Sequence, residues 1–133
     1  MLAEKTDIKI VPKNWGFEKI IYNENYCGKL LYIIKNKQTS LHYHNSKDET
    51  FYISRGRVLV YYSSELGKIK SMIDADKTDE AFSMLLKITL GPGDSFHMPP
   101  KTVHQIIGLE DTELYEFSTR HYDSDSHRLI NGE

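Results

Sequence analysis

Apolar residues come in short runs in this chain, and a Gly, Pro, Asn or charged residue soon interrupts each one. "KLLYII", "TFYIS", "RVLVYY", "LLKITL", "HQIIGL" and "ELYEF" are rich in β-branched and aromatic residues. That composition favours a pleated, half-buried surface over a helix. Turn residues separate the runs: Asn45–Asp48, Arg55-Gly56 and Gly91-Pro92-Gly93. Eight or so short strands in 133 residues predict one all-β domain spanning 1–133, a sandwich or barrel. Residues 63–83 break the pattern. They are polar and lack alternation, so they read as an insertion between strands, protruding, with a short helix near Lys77–Met84. The first dozen residues read as a loose arm or an edge strand, and "DSDSHRLINGE" as a polar tail lying over the body.

Charge and cysteine content narrow the partners. A net charge of -2 with scattered Lys and Arg does not mark a nucleic-acid binder. No apolar run is long enough for a membrane span or a signal peptide. Cys27 is the single cysteine, which excludes an internal disulfide. The chain reads as a reduced, cytoplasmic protein.

The stretch "SLHYHNSKDETFYISRG" carries the chemistry. Alternation along a strand puts His42 and His44 on one face. Glu49 opens the next strand after a four-residue turn that can fold it back beside the two rings. Read alone, these residues are either three ligands of one metal ion or polar residues sharing a strand. Further along, "GDSFHMPPKTVH" sets a Gly-Asp turn and a proline pair before His104.

The spacing from His42 to Gly56, H-x-H-x4-E-x6-G, resembles the first cupin motif. The spacing Gly93-x5-Pro99-x4-His104 resembles the second. The resemblance implies a double-stranded β-helix, a jelly-roll barrel, with a metal held by His42, His44, Glu49 and His104. Nitrogen and oxygen ligands without thiolate suit Mn, Fe, Co, Ni or Zn. Three departures from the motifs stand out: Asn36 and Lys101 replace glycines, and Gly108 replaces an asparagine.

Trp15-Gly16, Lys29, Ser40-Leu41 and the "EFSTRHYDSDSHRL" segment resemble the cupin-type mannose-6-phosphate isomerases. In that group an acidic pair, here Asp123 or Asp125, precedes an arginine, here Arg128, that approaches the active site. The likeness implies aldose–ketose isomerisation through an enediolate. Such a reaction needs a base near neutral pKa, and His97 is the first candidate, with Glu49 as the alternative. A sugar phosphate needs cationic anchors, for which Lys29, Arg57, Lys101 and Arg128 are candidates. Tyr32, Tyr43, Tyr52 and Tyr115 could line a sugar pocket or belong to the core. His121 and His127 read as solvent-facing. Two other functions remain open: an Fe(II)-dependent oxygenase and a non-catalytic sugar- or small-ligand-binding cupin. A homodimer through the N-terminal segment would cover an exposed strand edge.

Overall fold

The structure is a computed structural model that describes residues 1–2, 4 and 7–132. Its strands are β1 (Lys9–Lys13), β2 (Gly16–Asn23), β3 (Cys27–Ile33), β4 (Leu41–His44), β5 (Glu49–Arg55) and β6 (Val58–Ser63). Helices α1 (Leu66–Asp74) and α2 (Thr78–Ser83) follow. Then come β7 (Leu86–Leu90), β8 (Ser95–Met98), β9 (Val103–Gly108), β10 (Thr112–Ser118) and β11 (Ser126–Ile130). No helix among the described residues is long and apolar enough to cross a membrane.

Two sheets face each other. One runs β1-β2-β3-β10-β5-β8 and the other β11-β4-β9-β6-β7. Every strand pair is antiparallel, and the order places β10 between β3 and β5 although it comes late in the chain. This is the jelly-roll barrel expected from the motifs. β1 is an edge strand, as one of the two N-terminal readings has it; the part resting on Ala3, Lys5 and Thr6 lies outside the described residues. The C-terminal segment is more than a tail, because β11 pairs with β4, with Arg128 opposite His42 and Ser126 opposite His44.

Strand alternation decides what faces inward. On β3 the buried positions are Cys27, Lys29, Leu31 and Ile33. On β5 they are Glu49, Phe51 and Ile53. The apolar members join Val58, Val60, Leu90, Ile106 and Leu114 in the core between the sheets. At roughly 25 cal/mol per Å² of buried apolar surface, this is where the fold draws its stability.

Residues 63–83 do not protrude as an open polar loop. α1 and α2 lie over the outer face of the five-stranded sheet, where Ile69, Ala81 and Leu85 pack with Leu41, Tyr43 and Val103. α2 sits at the helix expected near Lys77–Met84. α1 sits in a charge-rich stretch, but its apolar residues Leu66, Ile69, Met72 and Ile73 follow helical spacing, which marks it as an amphipathic helix. The helices make β4 buried on both faces, with Leu41 and Tyr43 under them and His42 and His44 turned to the barrel interior.

Two backbone positions explain two of the three departures from the motifs. Asn36 and Lys101 stand where glycines are usual, and both adopt left-handed conformations, at φ 68° and 65°. Lys101 is the costlier of the two, since a long side chain gains nothing locally from that geometry. Its N–H donates to the carbonyl of His44 at 2.6 Å, which ties the β8–β9 connection to β4.

Candidate metal centre and active site

His42 and His104 lie directly opposite each other on β4 and β9. Their ring centroids are 4.3 Å apart, and His44 stands 5.1 Å from His42. The three imidazoles offer ligand atoms that all lie within 4.8 Å of one another. Glu49, at the start of β5, closes the group: its Oε2 lies 3.5 Å from His44 Nε2 and 3.8 Å from His104 Nε2.

Hydrogen bonds at the far side of each ring fix the tautomer. Carbonyl oxygens only accept, so each Nδ1 that meets one carries the proton. His42 Nδ1 donates to the Ser40 carbonyl at 2.9 Å, and His104 Nδ1 to the Thr102 carbonyl at 2.9 Å. His44 Nδ1 donates to the Asp125 carbonyl at 3.1 Å. All three Nε2 lone pairs are therefore turned toward one another. His104 Nε2 is buried with no hydrogen-bond partner, a costly state for a polar atom that nothing else satisfies. Such a donor set, oriented through its outer nitrogens, fits a divalent transition metal ion.

The electrostatics agree. Burial, reinforced by His104 and His44, holds His42 well below the usual imidazole range. Burial and Lys47 bring His44 down to about 3, and burial brings His104 down to about 4. At neutral pH all three rings are neutral, which is the ligating form. Burial and the neighbouring Glu116 carboxylate push Glu49 well above its usual range.

A second charged group shares the cavity, which measures about 390 Å³. Lys47, in the β4–β5 turn, is buried, and its Nζ meets Glu116 Oε2 at 2.5 Å. Burial alone would raise Glu116, yet Lys47 and Lys29 hold it down to about 2. Burial would lower Lys47, but Glu116 and Glu49 more than offset that and hold it above its usual value. The carboxylate is ionised and the ammonium protonated. Neither residue was singled out from the sequence. Glu116 carried a signal all the same, because Thr112, Leu114 and Glu116 alternate on β10 and put a charge on the apolar face.

The other expected site residues divide. Lys29 and Arg128 line the cavity, Lys29 buried at 2% exposure with its Nζ 3.5 Å from Glu18 Oε2. Arg57 does not; it is exposed in the β5–β6 turn, where its carbonyl accepts from Thr112 at the other end of the barrel. Lys101 contributes its backbone N–H, while its side chain is exposed. His97 is a correction. On β8 the inward residues are Phe96 and Met98, so His97 points outward, 59% exposed, with Nε2 2.5 Å from Asp48 Oδ1. It is not among the residues that line the cavity. His121 is corrected in the opposite direction, because it lines the cavity with its ring 6.1 Å from that of His44. Of the tyrosines, Tyr43 is buried under the helices and Tyr52 is exposed on the outer face; neither lines the cavity.

The family model described as D-lyxose isomerase matches residues 11–128. The chain belongs to the D-lyxose isomerase family. Among its relatives is the D-lyxose/D-mannose isomerase of Thermosediminibacter oceani, 26% identical over 138 residues that cover 92% of this chain and 76% of that one. Another is the D-lyxose ketol-isomerase of Thermofilum sp., 30% identical over 131 residues that cover 90% and 72%. Among solved structures, oxalate decarboxylase from Bacillus subtilis aligns with a TM-score of 0.73 at 17% identity, over 93% of this chain. This chain spans only 30% of that one. KdgF from Halomonas sp. aligns with a TM-score of 0.65 at 18% identity, over 91% of this chain and 95% of its own. These likenesses place the fold among the cupins. The closer likeness to mannose-6-phosphate isomerases gives way to a different sugar isomerase family. Part of what suggested it is scaffold: Trp15 is a core residue, and a Cβ at Gly16 would sit 1.9 Å from the Tyr32 carbonyl.

Proposed function

We propose that this protein is a metal-dependent aldose–ketose isomerase acting on a free aldopentose or aldohexose of the lyxose and mannose type. One observation carries the reading: the Glu116 carboxylate and the Lys47 ammonium meet in the same cavity as the three imidazoles. Lys47 holds Glu116 down in the resting site, and passing the Lys47 proton to the sugar removes that charge and strengthens the carboxylate as a base. The names of the two relatives, and their extent, support the choice of sugar.

A divalent ion held by His42, His44, Glu49 and His104 would polarise the sugar carbonyl. Glu116 takes the proton from carbon 2 and returns it to carbon 1. Lys47 gives a proton to oxygen 1, and the resulting amine takes the proton of the carbon 2 hydroxyl. The chain's own residues end the cycle as they began it, and the sugar has exchanged an aldehyde for a ketone. Lys29, tied to Glu18, borders the same cavity and offers a donor to sugar hydroxyls.

A sugar phosphate is the second reading, and a particular feature favours it. Lys9, Lys13 and Arg128 line the cavity, and among the described residues none of them forms an ion pair. The test is conversion of D-lyxose, D-mannose and their terminal phosphates by protein loaded with Mn, Fe, Co, Ni or Zn, with carbon-bound deuterium uptake from D2O as a second readout. Ketose formation that stops on chelation is the expected result. If the phosphates alone react, and Lys13→Ala or Arg128→Ala raises their KM by roughly 10-fold or more, the second reading replaces the first. If no aldose is converted and no deuterium enters, the isomerase reading is wrong; oxygen consumption or tight sugar binding would then point to an oxygenase or a binding module.

A further inference from the structure

Lys47 is held from two sides, and only one of them belongs to the chemistry just described. Its ammonium carries three N–H groups. One faces Glu116. A second meets His121 Nδ1 at 3.1 Å. No protein acceptor among the described residues takes the third, which leaves it for a substrate oxygen.

His121 is built to accept that bond. Because Nδ1 receives a proton from Lys47, the ring's own proton sits on Nε2, and Nε2 donates to Asp123 Oδ1 at 3.0 Å. The backbone of His121 is clamped as well. Its N–H donates to Asn23 Oδ1 at 2.8 Å, and its carbonyl accepts from Asn23 Nδ2 at 3.0 Å. Asn23 ends β2, so the ring is fixed to the six-stranded sheet and not carried on a free loop. Four residues along, Asp125 accepts from the backbone N–H groups of Asn45, Ser46 and Lys47 at 2.9–3.2 Å. One short segment after β10 therefore grips both ends of Lys47, its backbone through Asp125 and its ammonium through His121.

We infer that His121, oriented by Asp123 and Asn23, is a positioning residue that aims the Lys47 ammonium at the sugar oxygens. The inference rests on the isomerase reading for the identity of the reacting atoms. A lysine side chain has four rotatable bonds, and Glu116 alone fixes one direction of its ammonium. A second acceptor at a set angle defines the remaining N–H, and orienting partners of this kind govern how much of a reactive group's time is spent in a useful pose. His121 does not need to touch the sugar to do this.

The experiment compares His121→Ala and His121→Gln in the metal-loaded protein. Glutamine places an amide oxygen where Nδ1 stood and can accept the same bond. Loss of the acceptor should lower kcat roughly 10- to 100-fold, the range typical when a partner that orients a reactive group is removed. KM should stay within about threefold and metal content should be unchanged, while glutamine should recover most of kcat. A second readout needs no turnover. In a proton–nitrogen correlation spectrum of lysine ammonium groups, Lys47 should give a resonance protected by burial. That resonance should vanish in His121→Ala and return in His121→Gln. The inference is overturned if His121→Ala keeps its kcat, if kcat and metal content fall together, if glutamine does no better than alanine, or if the resonance survives the loss of the imidazole. If the parent converts no aldose, the proposed function falls, and the ammonium resonance still decides whether His121 holds Lys47.

Discussion

Followed toward the cavity, β3 changes its inward-facing residues from Ile33 and Leu31 to Lys29, and β5 changes from Ile53 and Phe51 to Glu49. β10 changes from Leu114 to Glu116 and β9 from Ile106 to His104. Both ends are equally dry: Ile53 and Ile33 are fully buried, and Glu49 and Lys29 are only 3% and 2% exposed. The difference lies in what burial does. At the apolar end it stabilises the fold; at the charged end it costs desolvation, which only paired and hydrogen-bonded neighbours offset. The same strands thus carry a source of stability at one end and a drain on it at the other, which is how a rigid scaffold supports a reactive site.

Acid should separate the two ends most strongly. His42, His44 and His104 have folded-state values below 6.5, so the unfolded chain binds protons before the folded one does. Their contribution is complete above about pH 6.5 and is lost as the pH falls through about 4 and 3, and the Glu116 contribution fades from 4.5 toward 2. Glu49 acts in the other direction, because its raised value makes the folded state lose stability as pH rises above 4.5. Three imidazoles outnumber one carboxyl, so the metal-free protein should unfold cooperatively on acidification. Trp15, the single tryptophan, reports the transition by fluorescence. A flat stability profile from pH 7 to 4 would contradict the neutral, buried histidines.

Breaking the ion pair comes next. Lys47→Met leaves Glu116 and Glu49 buried together without their main cation, at a cost of about 3–5 kcal/mol near neutral pH. Lys47→Met combined with Glu116→Leu should recover most of that loss in denaturant titrations, although activity is gone in both. Additive losses would mean that the two side chains do not interact.

A core truncation and a ligand truncation should then part company. Ile53→Ala should cost about 2–5 kcal/mol and leave metal stoichiometry intact in the molecules that remain folded. His44→Ala should shift the stability of the metal-free protein by less, about 1 kcal/mol in line with a typical single substitution, while abolishing metal binding. Equal effects on both properties would erase the distinction between the two ends.

The smallest effect lies in the β8–β9 connection. Lys101→Gly removes the left-handed penalty but loosens the unfolded chain, for a net gain of about 0.5–1 kcal/mol. Its Tm should rise by a few degrees, with the N–H bond to His44 retained.

Much of this arrangement was legible before any coordinates. A two-residue step between histidines fixes a shared face, and Gly56 marks a turn that tolerates no side chain: φ is +89°, and a Cβ would meet the Asp111 carbonyl at 2.4 Å. Lys47 was not legible. It sits inside the stretch that carries the ligands, yet a lysine in a polar turn looks like a solvated charge until β10 is known to bring Glu116 beside it. His97 misled for the same reason in reverse, since a histidine near two prolines gives no sign of which face it takes. The helix near Lys77–Met84 was legible, but α1 was obscured by its charged outer face, and β11 by a polar sequence that pairs through its backbone.

His44 takes its orientation from Asp125, 81 positions further along the chain. The third imidazole, the carboxylate partner of Lys47 and the strand that seats Arg128 also come from the later half. During synthesis the first two histidines leave the ribosome long before anything exists to aim them. The fourth ligand, His104, becomes available only once the later half of the chain has folded back. The set of ligands closes only when β9 pairs with β4 and brings His104 opposite His42, a slow, non-local step. Occupancy of such a site would report that β9 has docked against β4.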